Sequence, residues 1–170
     1  GTINTAVGIS ALQNSTTSDS NTAVGGYSLL TNTTGSSNTA MGVSSLRANT
    51  TGTVSTAVGM EALCGQTTGD NNTGVGYQAL KVSTTGKFNV AMGNGALVAN
   101  TTGCCNTAIG WRSMCSNTTG ANNTAIGRNS LQGNTTTSGN TAIGKCALSE
   151  NVAANNTAVG HSAMEINNSG

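Results

Sequence analysis

The pentapeptide Asn4-Thr5-Ala6-Val7-Gly8 returns, with small changes, nine more times along the chain. The copies begin at Asn21, Asn38, Ser55, Asn72, Asn89, Asn106, Asn123, Asn140 and Asn156. Eight successive intervals are 17 residues and the last is 16. A fixed period of this length constrains the fold more than any local propensity does, because each repeat must be one structural unit that stacks on its neighbours. Residues 1–170 therefore read as a single array of about ten repeats. Residues 1–3 fit the end of a preceding repeat and Gly170 falls inside the last, so the array is expected to continue beyond this window.

Numbering the Asn of NTAVG as position 1 exposes the columns. Position 4 is Val, Ile or Met in every copy, position 5 is Gly, position 8 is Ala or Ser, and position 9 is Leu or Met. Positions 12–15 read NTTG or a near relative, as in Asn32-Thr33-Thr34-Gly35. Every charged residue falls in positions 6, 7, 10, 11, 16 or 17, the freely varying columns. Fixed apolar columns face something dry, and free columns that carry all the charge face water. A chain this rich in Asn, Thr, Ser and Gly has the composition of a disordered segment, but disorder has no need to hold apolar residues in register. Two glycine-bearing turns and a Thr-rich stretch per repeat argue strongly against a helical unit, since each Gly costs a helix about 1 kcal/mol. Short β-branched segments bounded by Gly and Asn read as strands and turns. The expected fold is all-β: a parallel β-solenoid, or β-roll, with one 17-residue coil per repeat and coils about 4.8 Å apart.

Side chains alternate faces along a strand, so positions 3 and 4 point opposite ways. Strands are expected at NTAVG and again around positions 7–10, which sets positions 8 and 9 on opposite faces too. On grounds of size, Val7 and Leu12 and their equivalents are expected to fill the interior. The alanines of position 3, such as Ala108 and Ala125, are then expected to form a smooth outer face suited to another chain. The near-invariant Asn at position 1 has two readings: an amide ladder along the axis, or a residue that merely suits a turn.

The segments NTAIG and ALxxNTTG, with Asn106-Thr107-Ala108-Ile109-Gly110 as the type copy, resemble the head repeats of trimeric autotransporter (YadA-like) adhesins and related repeats of phage and viral tail fibres. The resemblance covers the whole chain. It implies a left-handed roll, three chains around one axis, and an extracellular fibre on a cell or virion surface. The period here is longer than that of the usual adhesin head repeat, and NTTG is an added turn.

Chemistry-bearing residues are sparse. Six basic and five acidic residues leave the chain near neutrality, without the basic excess of a nucleic-acid or membrane-surface binder. No apolar run reaches the roughly 20 residues that cross a bilayer. The one histidine, His161, leaves multi-histidine metal sites and Ser-His-Asp arrangements unsupported, so no cofactor is expected. Cys146 and His161 lie on adjacent coils with Glu150 and Glu165, and they read as ordinary free-column residues rather than ligands. Arg112, Arg128, Lys145 and His161 occupy positions 7, 6, 6 and 6 of consecutive coils. They form a candidate anion-binding ridge, weighed against chance in varying columns. Asn32, Asn49, Asn100, Asn117 and Asn134 begin N-T-T sequons, candidate glycan acceptors at turns expected to be exposed. The repeat itself requires NTT there. The cysteines are expected to form no intrachain framework: Cys64 and Cys115 share a column but lie three coils apart.

The leading expectation is a non-enzymatic structural fibre or adhesin shaft that self-associates and presents a surface to a glycan or receptor. The alternative is a ligand-binding solenoid, for glycan or ice, with a Thr-rich or basic face. The Thr33-Thr34 type pairs run into glycine, which disfavours a flat ice-binding array. Five scattered acids disfavour a glycosidase, which needs two carboxylates facing across a groove.

Overall fold

A computed structural model describes residues 1–167; residues 168–170, the end of the array assigned above, lie outside the described residues. The chain is a parallel β-solenoid with no helix among the described residues. Ten strands of three residues each carry the NTAVG segments: β1 (Thr5–Val7), β2 (Thr22–Val24), β3 (Thr39–Met41), β4 (Thr56–Val58), β5 (Thr73–Val75), β6 (Val90–Met92), β7 (Thr107–Ile109), β8 (Thr124–Ile126), β9 (Thr141–Ile143) and β11 (Thr157–Val159). They form one parallel sheet in chain order. Identical columns pair throughout, as in Ala108↔Ala125 and Ile109↔Ile126. A second, two-stranded sheet pairs β10 (Glu150–Asn151) with β12 (Ile166–Asn167).

The second strand expected around positions 7–10 is absent. That segment is a run of turns in which positions 7 and 9 sit in the left-handed region, as at Glu61 (φ 58°) and Leu63 (φ 51°). Left-handed backbone costs an L-residue roughly 1–2 kcal/mol. Here it lets each coil close tightly while its amides still reach the coils on both sides. The Leu63 N–H donates to Ala79 O at 2.9 Å, and the Glu61 N–H to Val43 O at 2.9 Å. Stacking of like on like thus supplies backbone partners even where no strand exists.

The size-based expectation holds for position 9, whose Leu and Met residues from Leu12 to Leu148 are buried, and fails for positions 3 and 4. The alanines of position 3 are buried, Ala108 and Ala125 completely, whereas the position-4 residues Ile109, Ile126 and Ile143 are 36–38% exposed. The alternation along the strand holds, but its polarity is inverted. A coil this narrow has room for one large side chain, and Leu63 or its equivalent at position 9 takes it, with Ala57 and Ala62 filling the remainder. Since positions 8 and 9 lie in a turn and not a strand, both point inward. The proposed docking face of alanines is therefore the core.

The rest of the interior is polar. At position 1, Asn38 ties two coils together: its backbone N–H donates to Asn21 Oδ1 at 2.9 Å on the preceding coil, and its Nδ2 donates to Gly52 O at 2.8 Å across its own coil. Side-chain amide contacts also occur in this column, as from Asn89 Nδ2 to Asn72 Oδ1 at 3.2 Å. At position 12 a side-chain amide ladder runs along the axis. Asn49 Nδ2 donates to Asn32 Oδ1 at 2.8 Å, Asn117 to Asn100 at 2.8 Å, and Asn134 to Asn117 at 3.0 Å. These amides satisfy each other and the glycine carbonyls at position 15, so a buried polar spine carries little penalty.

Glycine at position 5 is required by stacking. Gly110 has φ 129°, and a Cβ there would stand 2.7 Å from the backbone of Gly127. The 16-residue repeat is accommodated between Asn151 and Asn155: β9 and β11 keep the common register, Thr141↔Thr157, and the Asn167 side chain still finds Asn151 Oδ1 at 3.0 Å.

Candidate functional site

The outer face of the ten-stranded sheet is built from positions 2 and 4, because two-residue periodicity sets them on the same side. It presents a column of threonine hydroxyls beside a column of Val, Ile and Met. No charged residue belongs to either column. Met41 and Met92 are 45% and 43% exposed, and Val24, Val58 and Val75 are half-buried. This column exposes on the order of 700 Å² of apolar surface, above the few hundred Å² common on monomers. Position 6 widens the apolar band on several coils through Ile9, Val43, Met60, Tyr77 and Trp111. Column identity marks the band in the sequence, but reading it as outer surface needed the direction of the strands.

The basic ridge is on the surface. Arg112, Arg128, Lys145 and His161 are all exposed, on four consecutive coils. Trp111, absent from the sequence-based site, joins them. The Arg112 guanidinium lies 5.5 Å from its ring centroid and that of Arg128 4.9 Å. Both distances are within cation–π range. The signal was present: Arg128 follows Trp111 by one period in the same column. The Arg112 stem runs over Gly95, one coil earlier, whose missing Cβ would stand 3.6 Å from Cγ.

Elsewhere the chain answers its own lysines. Lys81 pairs with Glu61 at 3.0 Å and Lys87 with Asp70 at 2.7 Å, each across one coil. The amide of Gln78, then the Lys81 ammonium, hold the Glu61 carboxyl below the usual carboxylate range. For Asp70, partial burial pushes upward. The ammonium of Lys87 and the backbone and hydroxyl donors of Thr53 outweigh it, and the carboxyl ends below its ordinary value. Each lysine of these pairs is raised in turn, chiefly by its hydrogen bond to the carboxylate.

The sequon asparagines sit inside the fold. Asn32, Asn49, Asn100, Asn117 and Asn134 are fully buried, and each Nδ2 donates to the carbonyl of the residue three positions on, as Asn100 does to Gly103 O at 3.0 Å. A glycan on any of these nitrogens and this packing exclude each other; the exposed member of the turn is the second threonine, such as Thr102. All five cysteines are unbridged, and burial pushes the Cys64 thiol up. Cys146, His161, Glu150 and Glu165 do not converge, and no group of three or more His, Cys, Asp or Glu side chains does so among the described residues. No enclosed pocket is present among them, and no helix is long and apolar enough to cross a membrane.

No protein family, curated protein or solved structure matches this chain.

Proposed function

We propose that this array is a structural shaft: an extracellular fibre segment whose copies associate side by side along the Thr/Val/Ile/Met face, and whose remaining surface is free for attachment. The observation that carries the reading is the uncharged apolar column running the length of the sheet. Covering on the order of 700 Å² per chain approaches the roughly 800 Å² per partner of a standard stable interface. At 25 cal/mol/Å² that is about 17 kcal/mol of gross stabilisation, against roughly 4–15 kcal/mol for the lost freedom of association. Three chains about one axis is the arrangement that resemblance to the adhesin heads implies. A threefold bundle about this column would leave the charge-bearing columns, positions 6, 7, 10, 11, 16 and 17, outside. The reading assigns no catalytic step.

Light scattering with size-exclusion chromatography tests it. Wild type should run as a multiple of the 16.7 kDa chain. I109K/I126K should run as a folded monomer, while T119K, on the far side, should keep the wild-type mass. A108L should unfold rather than dissociate, because Ala108 has no free surface. A folded wild-type monomer, or an unchanged mass for I109K/I126K, would sink the proposal.

A further inference from the structure

We propose that the ridge formed by Trp111, Arg112, Arg128 and Lys145 binds a linear anionic polysaccharide, one carrying carboxylate or sulfate groups, laid along the solenoid axis. This inference is independent of self-association, since it uses positions 6 and 7 and not the sheet face. It rests on three observations. First, the cations are unanswered. Among the described residues the chain places a carboxylate one coil from Lys81 and from Lys87, yet none pairs with Arg112, Arg128 or Lys145. Glu150 and Glu165 share coils with Lys145 and His161 but lie at positions 11 and 10 and pair with neither. Second, the positive groups recur at the coil rise, about 4.8 Å. Like charges at that spacing repel, and a polymer that bears regularly repeated anions relieves the repulsion at every step. Third, the two guanidiniums are held in place. Trp111 carries both against its ring, at 5.5 and 4.9 Å, and Gly95 gives the Arg112 stem a bed. A guanidinium fork fixed in this way offers paired donors to a carboxylate or sulfate with little ordering left to do.

The same geometry argues against a single-stranded nucleic acid. Base recognition on such a strand relies on stacking against open aromatic faces, and guanidiniums lie over the Trp111 ring. Trp111 is then a positioning residue and the arginines and Lys145 are the contacts. His161 extends the column by one coil.

Trp111 is the chain's one tryptophan, so its fluorescence reports the ridge directly. The folded array is titrated with a sulfated oligosaccharide, a polyuronate oligomer, a neutral dextran oligomer and single-stranded oligothymidylate, with calorimetry in parallel. The expected result is a Trp111 signal with an anionic oligosaccharide, weakened by salt, and none with dextran. R112Q/R128Q/K145Q should lose affinity by about tenfold or more, with circular dichroism unchanged. R47Q, which removes an unpaired cation elsewhere, should stay within about twofold. W111L should weaken binding several-fold by calorimetry, and W111Y, which keeps a ring under the guanidiniums, should restore most of it. Should the triple variant misfold, R128Q alone carries the comparison with R47Q. Absence of binding to both anionic oligosaccharides, an equal loss in R47Q, wild-type affinity in W111L, or tighter binding of oligothymidylate would each overturn the proposal.

Discussion

The fourth coil departs from the others at two places at once, and the departures fit each other. Ser55 stands at position 1, where the other coils have Asn, and Gln66 stands at position 12 of the same coil. The longer side chain fills the space that the shorter one leaves. Gln66 Nε2 donates to Ser55 Oγ at 3.1 Å and to Asn49 Oδ1 at 3.3 Å, while its Oε1 accepts from Asn72 Nδ2 at 2.9 Å. Both residues are essentially fully buried. Shortening Gln66 to Asn breaks the links to Ser55 and Asn72, about 1 kcal/mol each, and opens a methylene-sized void that costs about 1 kcal/mol more. Q66N should therefore lose roughly 3 kcal/mol by these terms. S55N alone pushes a larger side chain into space that Gln66 already occupies, an overpacking worth roughly 1–3 kcal/mol. The double variant S55N/Q66N rebuilds the Asn pair of the preceding coil, Asn38 and Asn49, and should be within about 1 kcal/mol of wild type, a coupling of roughly 4 kcal/mol. Repeat arrays need not unfold in one step, so the assay is native-state hydrogen exchange at the Ser55 and Asn72 amides, which report opening of this coil. The Ser55 N–H is held by Asn38 Oδ1 at 2.9 Å, so its protection follows the spine directly. Single-variant losses that simply add in the double variant, with coupling below about 0.5 kcal/mol, would refute the compensation.

Three further outcomes follow from the same spine and surface. Ser83 interrupts the amide ladder at position 12 and its Oγ is buried without a partner; S83N should reconnect Asn100 to its predecessor and gain about 1–2 kcal/mol in the same exchange experiment. Removing one whole repeat, Asn106 to Asn122, brings Ile126 onto Met92 and Leu131 onto Leu97. It should give a folded array shorter by one coil, since each coil contacts only its neighbours, whereas removing Asn106 to Ser113 should abolish folding as read by circular dichroism. On acidification, Glu61 and Asp70 have folded pKa values below their ordinary ones. Their stabilisation is present above about pH 4 and is lost as pH falls through the depressed folded values. These pairs are exposed or nearly so, which keeps the effect small, and the melting temperature should be flat from about pH 5 to 8 and drop only below about pH 4.

The seventeen-residue period, the parallel in-register stacking and the segregation of charge were all readable in the sequence. Each follows from a rule that acts on the chain alone: identical units stack like on like, and charges stay in water. The sequence also showed that positions 3 and 4 face opposite ways. It did not show which faces in. Size favoured Val7 and Ile109; the structure buries Ala108 and leaves Ile109 outside, because the interior is already occupied by Leu97 and Met114 and by two columns of asparagine. That outcome depends on the width of a closed coil, a property of the backbone path. The left-handed turn at positions 7 and 9 is equally hidden from sequence, since Leu63 and Glu61 carry no local preference for positive φ and hold it because the neighbouring coils, one on each side, supply their hydrogen bonds. The sequon asparagines look like exposed turn residues until the spine that needs their amides is assembled. The ridge of Arg112 and Arg128 is readable as neighbouring columns, but only stacking brings both guanidiniums over the Trp111 ring. Periodicity fixes which residues share a column. Closure of the coil, which only three dimensions can express, decides which columns are core, which are surface, and which side chains from neighbouring coils meet.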